Sequence, residues 1–192
     1  MSLRELTSEK HKDAERQEFV KILLSGNIHP DFYAAFLANQ YHIYYQLEAI
    51  ANLYDQLKGL PDIKRARYII ADFNEIWSDA EKRPPIVPVV NEYSRYLTEL
   101  SKTDPSKLFA HIYVRHMGDL AGGQIIAKKV PGTGKFYKFE DAEKLKIAIR
   151  ERLTDDLGNE ANVCFDFAIR LFKELMDLDM PKYKDEATEV NE

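Results

Sequence analysis

The stretch Phe109 to Lys129, "FAHIYVRHMGDLAGGQIIAKK", decides how this chain is read. Its apolar residues follow helical spacing: Phe109, Ile112, Tyr113, Met117 and Leu120, then Ile125, Ile126 and Ala127. Yet Gly118, Gly122 and Gly123 fall near its centre. Each glycine inside a helix costs roughly 1 kcal/mol relative to alanine. Three together imply that something approaches the backbone itself. On an ideal helix His111, Arg115, Gly118 and Gly122 share one face. Tyr113, Met117, Leu120 and Gln124 lie roughly opposite and are expected to pack inward. The first face therefore offers bare peptide groups to a flat, bulky ligand. Close helix–helix packing through Gly-xxx-Gly is the other physical use of the pattern. Arg115 and Asp119 also form an ordinary i, i+4 ion pair on many helices.

The rest of the chain sets bounds on that ligand. Its 192 residues suffice for one domain with a substantial core. A hydrophobic share of 45% with 31% charged residues is that of a globular protein. The net charge of -5 argues against nucleic-acid binding by phosphate neutralisation. The single cysteine, Cys164, allows neither an intrachain disulfide nor a cysteine-based metal cluster. "MSLRELTSEKHKDAERQ" is charged and lacks the apolar centre of a signal peptide. No apolar run approaches the ~20 residues that span a bilayer. The expectation is a cytoplasmic protein with no membrane anchor, monomeric by default. The domain is expected over residues 1–180, with 181–192 as a polar, disordered tail.

Long segments between the few glycines and prolines follow helical spacing, and alternating strand patterns are missing. Ser2 and Glu5 have capping-box form, opening a helix that runs towards His11. "EFVKILLSG" reads as a second helix ending at Gly26. "FYAAFLANQYHIYYQLEAIANLYDQLKG" reads as a long third one. Shorter helices are expected at "RYIIADFNEIW" and "VPVVNEYSRYLTELS". After the glycine segment, "PGTGKFYKF" reads as a loop, and "EDAEKLKIAIRERLTDDLG" and "NEANVCFDFAIRLFKELMDL" as two final helices. The fold class is all-α, in a single domain.

A partner for the glycine face is His11, beside the apolar stripe Leu3, Leu6, Thr7 and Ala14. A lone histidine there is commonly a core or boundary residue, but a neutral imidazole is also a common axial ligand of haem iron. At this point two segments together carry a family resemblance. "AHIYVRHMGDLAGGQ" (Ala110 to Gln124) resembles the signature of haem oxygenases. His11 to Phe19, with the form H-x-x-A-E-x-x-E-F, resembles their proximal-histidine segment. "YHIYYQLE" and "FYKFED" are also similar, and the resemblance spans about Leu3 to Leu178.

The resemblance implies a helical bundle with haem b between a proximal helix and a kinked, glycine-rich distal helix. His11 would be the proximal iron ligand, with Glu15 steadying its ring. Gly118 and Gly122 would lie over the porphyrin, and Gly123 would contribute to the kink. Asp119 would hold a water in the distal pocket, within a network including Tyr44, Tyr113 and Arg115. Lys146 and Arg150 match propionate-binding positions, with Arg4 as a weaker contact. The implied reaction opens haem to biliverdin, with α-meso cleavage expected, and releases carbon monoxide and iron. It uses O2 and electrons from an external donor, since no flavin or nicotinamide fingerprint is present. That donor would be a ferredoxin or another reductase; Lys10, Lys12, Lys128 and Lys129 could form a basic rim for an acidic ferredoxin.

Four positions depart from the family pattern. Ser8 stands where many relatives have a basic residue, His116 replaces a tyrosine, Ala121 a serine, and Ala168 an asparagine. They bear on the distal water chain and on how the haem is held. A haem carrier or sensor on the same fold is the alternative from another class. A di-iron site finds no Glu-x-x-His in the chain, and a zinc site no H-E-x-x-H.

Overall fold

The computed structural model describes residues 2–79 and 81–184. Ser2 begins the first helix as expected: its hydroxyl accepts from the Glu5 N–H, and the Glu5 carboxylate accepts from the Ser2 N–H. The helix α1 runs Leu3–Glu15 and α2 runs Glu18–Ser25, ended by Gly26 in the left-handed region at φ 80°. Pro30 starts α3, Pro30–Leu53, and α4 follows at Ala66–Ile76. Pro88 starts α5, Pro88–Thr103. The glycine segment is α6, Leu108–Ile126, a single α-helix throughout. The last two are α7, Ala142–Arg150, and α8, Gly158–Met176. Among the described residues the only extended pairing is an isolated bridge between Ile28 and Tyr183.

Three expected boundaries are corrected. The segment from Glu140 to Gly158 is not one helix: α7 stops at Arg150, and a 3-10 turn at Asp155–Leu157 leads into α8. Long-range bonds overrule local propensity there. The Arg152 guanidinium donates to the Gln56 carbonyl at 2.8 Å and stacks 3.9 Å over the Phe109 ring, while Leu157 is buried. The third helix ends at Leu53 instead of reaching Gly59, and turns occupy the remainder. The expected tail from 181 begins inside the fold, because the Lys182 carbonyl accepts from His29 and the Lys184 N–H donates to Asn27. Residues 185–192 of that expectation lie outside the described residues.

Helix α3 is the core of the bundle, buried at Phe32, Phe36, Leu37, Tyr44, Leu47 and Ala51 and packed against α4, α5 and α6. Helix α8 packs against α1, α2, α5 and α6. The His11 helix and the glycine helix are thus both held by α8, and contact each other sparsely.

The loop after α6 is tied back by Asp72 of α4, which is fully buried. Its carboxylate accepts from the backbone N–H groups of Lys135 (2.9 Å) and Phe136 (2.8 Å). That bond seats Phe136 and Tyr137 in the core. Asp72→Ala strands one buried and one part-buried donor and is expected to lower unfolding free energy by about 1–3 kcal/mol in urea titration.

Candidate functional site

The glycines of α6 separate into two kinds. A Cβ added at Gly118 or Gly122 would meet nothing within 4 Å, whereas one at Gly123 would come within 2.9 Å of the Tyr137 ring. Gly118 and Gly122 therefore leave a bare face, and Gly123 lets an aromatic ring pack against the helix. Gly118→Ala is expected to stabilise the haem-free protein by about 0.5–1 kcal/mol through helix propensity. Gly123→Ala is expected to destabilise it by about 1–3 kcal/mol through overpacking. Shifts of opposite sign are measurable by thermal unfolding of the two variants.

Beside Gly118, Asp119 accepts a 2.6 Å hydrogen bond from the Tyr44 hydroxyl of α3. Burial pushes the Asp119 carboxyl up to about 7, against the opposing pull of His116, the Tyr44 bond and Arg115. Burial and the Asp119 charge likewise raise the Tyr44 phenol. Arg115 donates to the Gln40 side chain at 3.3 Å, and its guanidinium lies 4.9 Å over the Tyr93 ring. Arg115 Nε and Nη2 and the Tyr33 hydroxyl are buried without a hydrogen-bond partner. Such groups are costly in a dry interior, so they mark a place suited to ordered water or a polar ligand atom.

The shared face expected for His111, Arg115 and the glycines divides along the helix. His111 and Arg115 are buried, because the first half of α6 runs inside the bundle. His111 is bonded to the Tyr93 hydroxyl (2.7 Å) and to Glu160 (2.9 Å). Of the opposite set, Leu120 is buried, Tyr113 and Met117 are half-buried, and Gln124 is exposed, its amide donating to the Tyr137 carbonyl. Gln40, Tyr93, Glu160 and Tyr33 join the site from α3, α5 and α8, with no local signal in their sequence surroundings.

His11 projects from α1 with 56% of its side chain exposed. Its Nδ1 lies 3.4 Å from the Glu15 carboxylate one turn later, and its ring meets the Phe165 ring of α8 edge-on at 5.7 Å. Nε2 has no hydrogen-bond partner among the described residues. Lys146 donates to Glu143 of its own helix at 2.7 Å. Arg150 and Arg4 are exposed and form no ion pair with a described residue.

Such an arrangement defines, as a class, an all-helical protein with a bare helix face, a buried tyrosine–carboxylate pair beside it and an exposed histidine on another helix. The family model for heme oxygenase matches residues 1–174, and the chain belongs to that family of haem-degrading enzymes. A heme oxygenase of Guillardia theta is 31% identical over 91% of this chain and 85% of that protein. Human heme oxygenase 1 is 28% identical over 97% of this chain and 74% of that protein. The structure is similar to heme oxygenase-1 of the cyanobacterium Synechocystis in complex with heme, with a TM-score of 0.78 at 26% identity, covering 90% of both chains. No described helix is long and apolar enough to cross a membrane.

The residues present fit haem. The bare face at Gly118 and Gly122, the orphaned Arg115 nitrogens and the free Nε2 of His11 suit a planar group with an iron and polar ligands. Asp119 binds its proton more tightly in the folded chain than an unfolded aspartate does, at about 4. Stability carried by this group therefore falls as pH rises from about 4 to about 7. Asp119→Asn, which keeps an acceptor for Tyr44, is expected to raise the Tm of the haem-free protein at pH 8 and change it little at pH 4.

Proposed function

We propose that this enzyme opens haem b to biliverdin IXα, releasing carbon monoxide and iron and consuming O2 and external electrons. The observation that carries the reading is the Tyr44–Asp119 hydrogen bond beside the bare backbone of Gly118. When bound, the iron porphyrin supplies oxygen activation and is itself the molecule consumed.

The chain's own residues bind, orient and manage protons. His11 Nε2 would take the iron, with Glu15 orienting the ring through Nδ1. Gly118 and Gly122 admit the porphyrin plane close to the peptide groups. Lys146, Arg150 and Arg4 would receive the propionates, Lys146 exchanging Glu143 for a charge-assisted bond to the ligand. Asp119 is an acceptor that orders water and a weak acid that passes protons. A carboxyl near 7 can return a proton at neutral pH without being a strong acid. Arg115 and Tyr113 extend that network, and Gly123 supports the helix from behind.

The proposed donor is a ferredoxin or a flavoprotein reductase. Lys128 and Lys129 are exposed, as a basic docking rim requires, while Lys12, also exposed, is paired with Glu9 and Lys10 with Asp166. The protein is proposed to act as a cytoplasmic monomer.

The test is optical: hemin-reconstituted protein in air, with catalase, before and after addition of a ferredoxin reducing system. The Soret band should fall as biliverdin absorption grows. Asp119→Ala should still bind hemin but form biliverdin at least about tenfold more slowly, and His11→Ala should lose the histidine-ligated spectrum. A haem spectrum that persists under proven reduction in air would point instead to a carrier or sensor.

A further inference from the structure

His116 has no part in the chemistry above, yet it is fully buried in the middle of α6 and more polar than its surroundings require. Its Nδ1 lies 3.1 Å from the Ile112 carbonyl oxygen. A carbonyl only accepts, so Nδ1 carries a proton. Its Nε2 lies 3.5 Å from Glu48 Oε1. That oxygen already accepts from the Arg65 backbone N–H at 2.5 Å, and both Glu48 oxygens accept from the Ala66 N–H at 3.3 and 3.2 Å. Glu48 is therefore held as an acceptor at the start of α4. A neutral imidazole protonated on Nδ1 would turn its Nε2 lone pair towards this carboxylate oxygen, two acceptors meeting in a dry interior. A second ring proton removes the conflict and makes an imidazolium–carboxylate pair.

The other side of the ring meets Tyr44, with centroids 5.1 Å apart and planes at 62°. Tyr44 is the residue that donates to Asp119. The charged and titratable groups around this unit are Tyr44 and Glu48 from α3, Arg65 at the start of α4, and Arg115 and Asp119 from α6. Tyr33 of α3 and Tyr137 of the following loop stand beyond Asp119. The Arg65 guanidinium is committed to Asp62 and to the Lys138 carbonyl.

We propose that His116 is a positioning residue, held as an imidazolium by Glu48 and the Ile112 carbonyl, whose fixed charge weakens the hold of Asp119 on its proton and so favours the ionised form that orients water. The tyrosine that the family pattern places here brings no charge. After burial itself, His116 is the largest influence on the Asp119 carboxyl, and it acts to lower it. The catalytic meaning of the pair rests on the role proposed for Asp119. The pair itself is read without haem, so the two fail separately.

The experiment uses the full-length, haem-free chain. In 15N spectra of histidine-labelled protein at pH 7, the His116 signals, assigned by their loss in His116→Gln, should show both ring nitrogens protonated. In 13C carboxyl titrations, the Asp119 signal, assigned through Asp119→Asn, should move up by about one pH unit in His116→Gln and His116→Tyr. That is about a tenfold rise in proton affinity. A singly protonated His116 overturns the proposal, and this measurement on the natural chain stands even where a variant fails to fold. An unmoved Asp119 titration in both folded variants overturns it as well. Failure of biliverdin formation with both spectra as expected would remove the role of Asp119 and leave the charge pair intact.

Discussion

The architecture depends on two helices being fixed to a third without closing on each other. Helices α1 and α6 both pack against α8, and contact between them is sparse. The side chains of α8 serve both neighbours. Phe165 meets the His11 ring on one side, and Glu160 reaches His111 on α6. An exposed histidine and a bare glycine face are therefore held in one rigid frame.

Helix α6 joins two environments. Its first half carries His111, Arg115 and His116 through the interior, each with partners from other helices: Tyr93 and Glu160, Gln40, and Glu48. Its second half gives up side chains at Gly118 and Gly122, at a helix cost of roughly 2 kcal/mol for the two. Asp119 stands between the halves. Its carboxyl belongs to the polar interior through Tyr44, and its backbone neighbour Gly118 belongs to the open face. Burial alone would make it a neutral acid. Surrounding cations and the phenol pull it back towards neutrality of pH, where a group can both hold and release a proton.

Most of the fold was legible in the chain, for reasons that are local. Gly26 marks a helix limit through backbone geometry, and Ser2 with Glu5 caps α1 through bonds within one turn. The failures were also physical. Residues Glu151 to Leu157 have helical spacing, but Arg152 finds the Gln56 carbonyl and the Phe109 ring, partners far away in sequence. Residues 182–184 read as a tail because their bonding to 27–29 uses backbone groups, which leave no side-chain signature.

The site divides in the same way. The sequence by itself determined the helical class, the three glycines and the two segments that resemble haem oxygenases, since these depend on residue type and short spacing. Only the tertiary structure decided that Gly118 and Gly122 are bare while Gly123 lies against Tyr137, and that His111 and Arg115 turn inward. It set the direct bond from Tyr44 to Asp119 within the network that the resemblance implied, and it alone brought Gln40 to Arg115 and Glu48 to His116. Helical periodicity says which residues share a face, but what that face meets depends on neighbouring helices whose positions are set by packing across the whole chain.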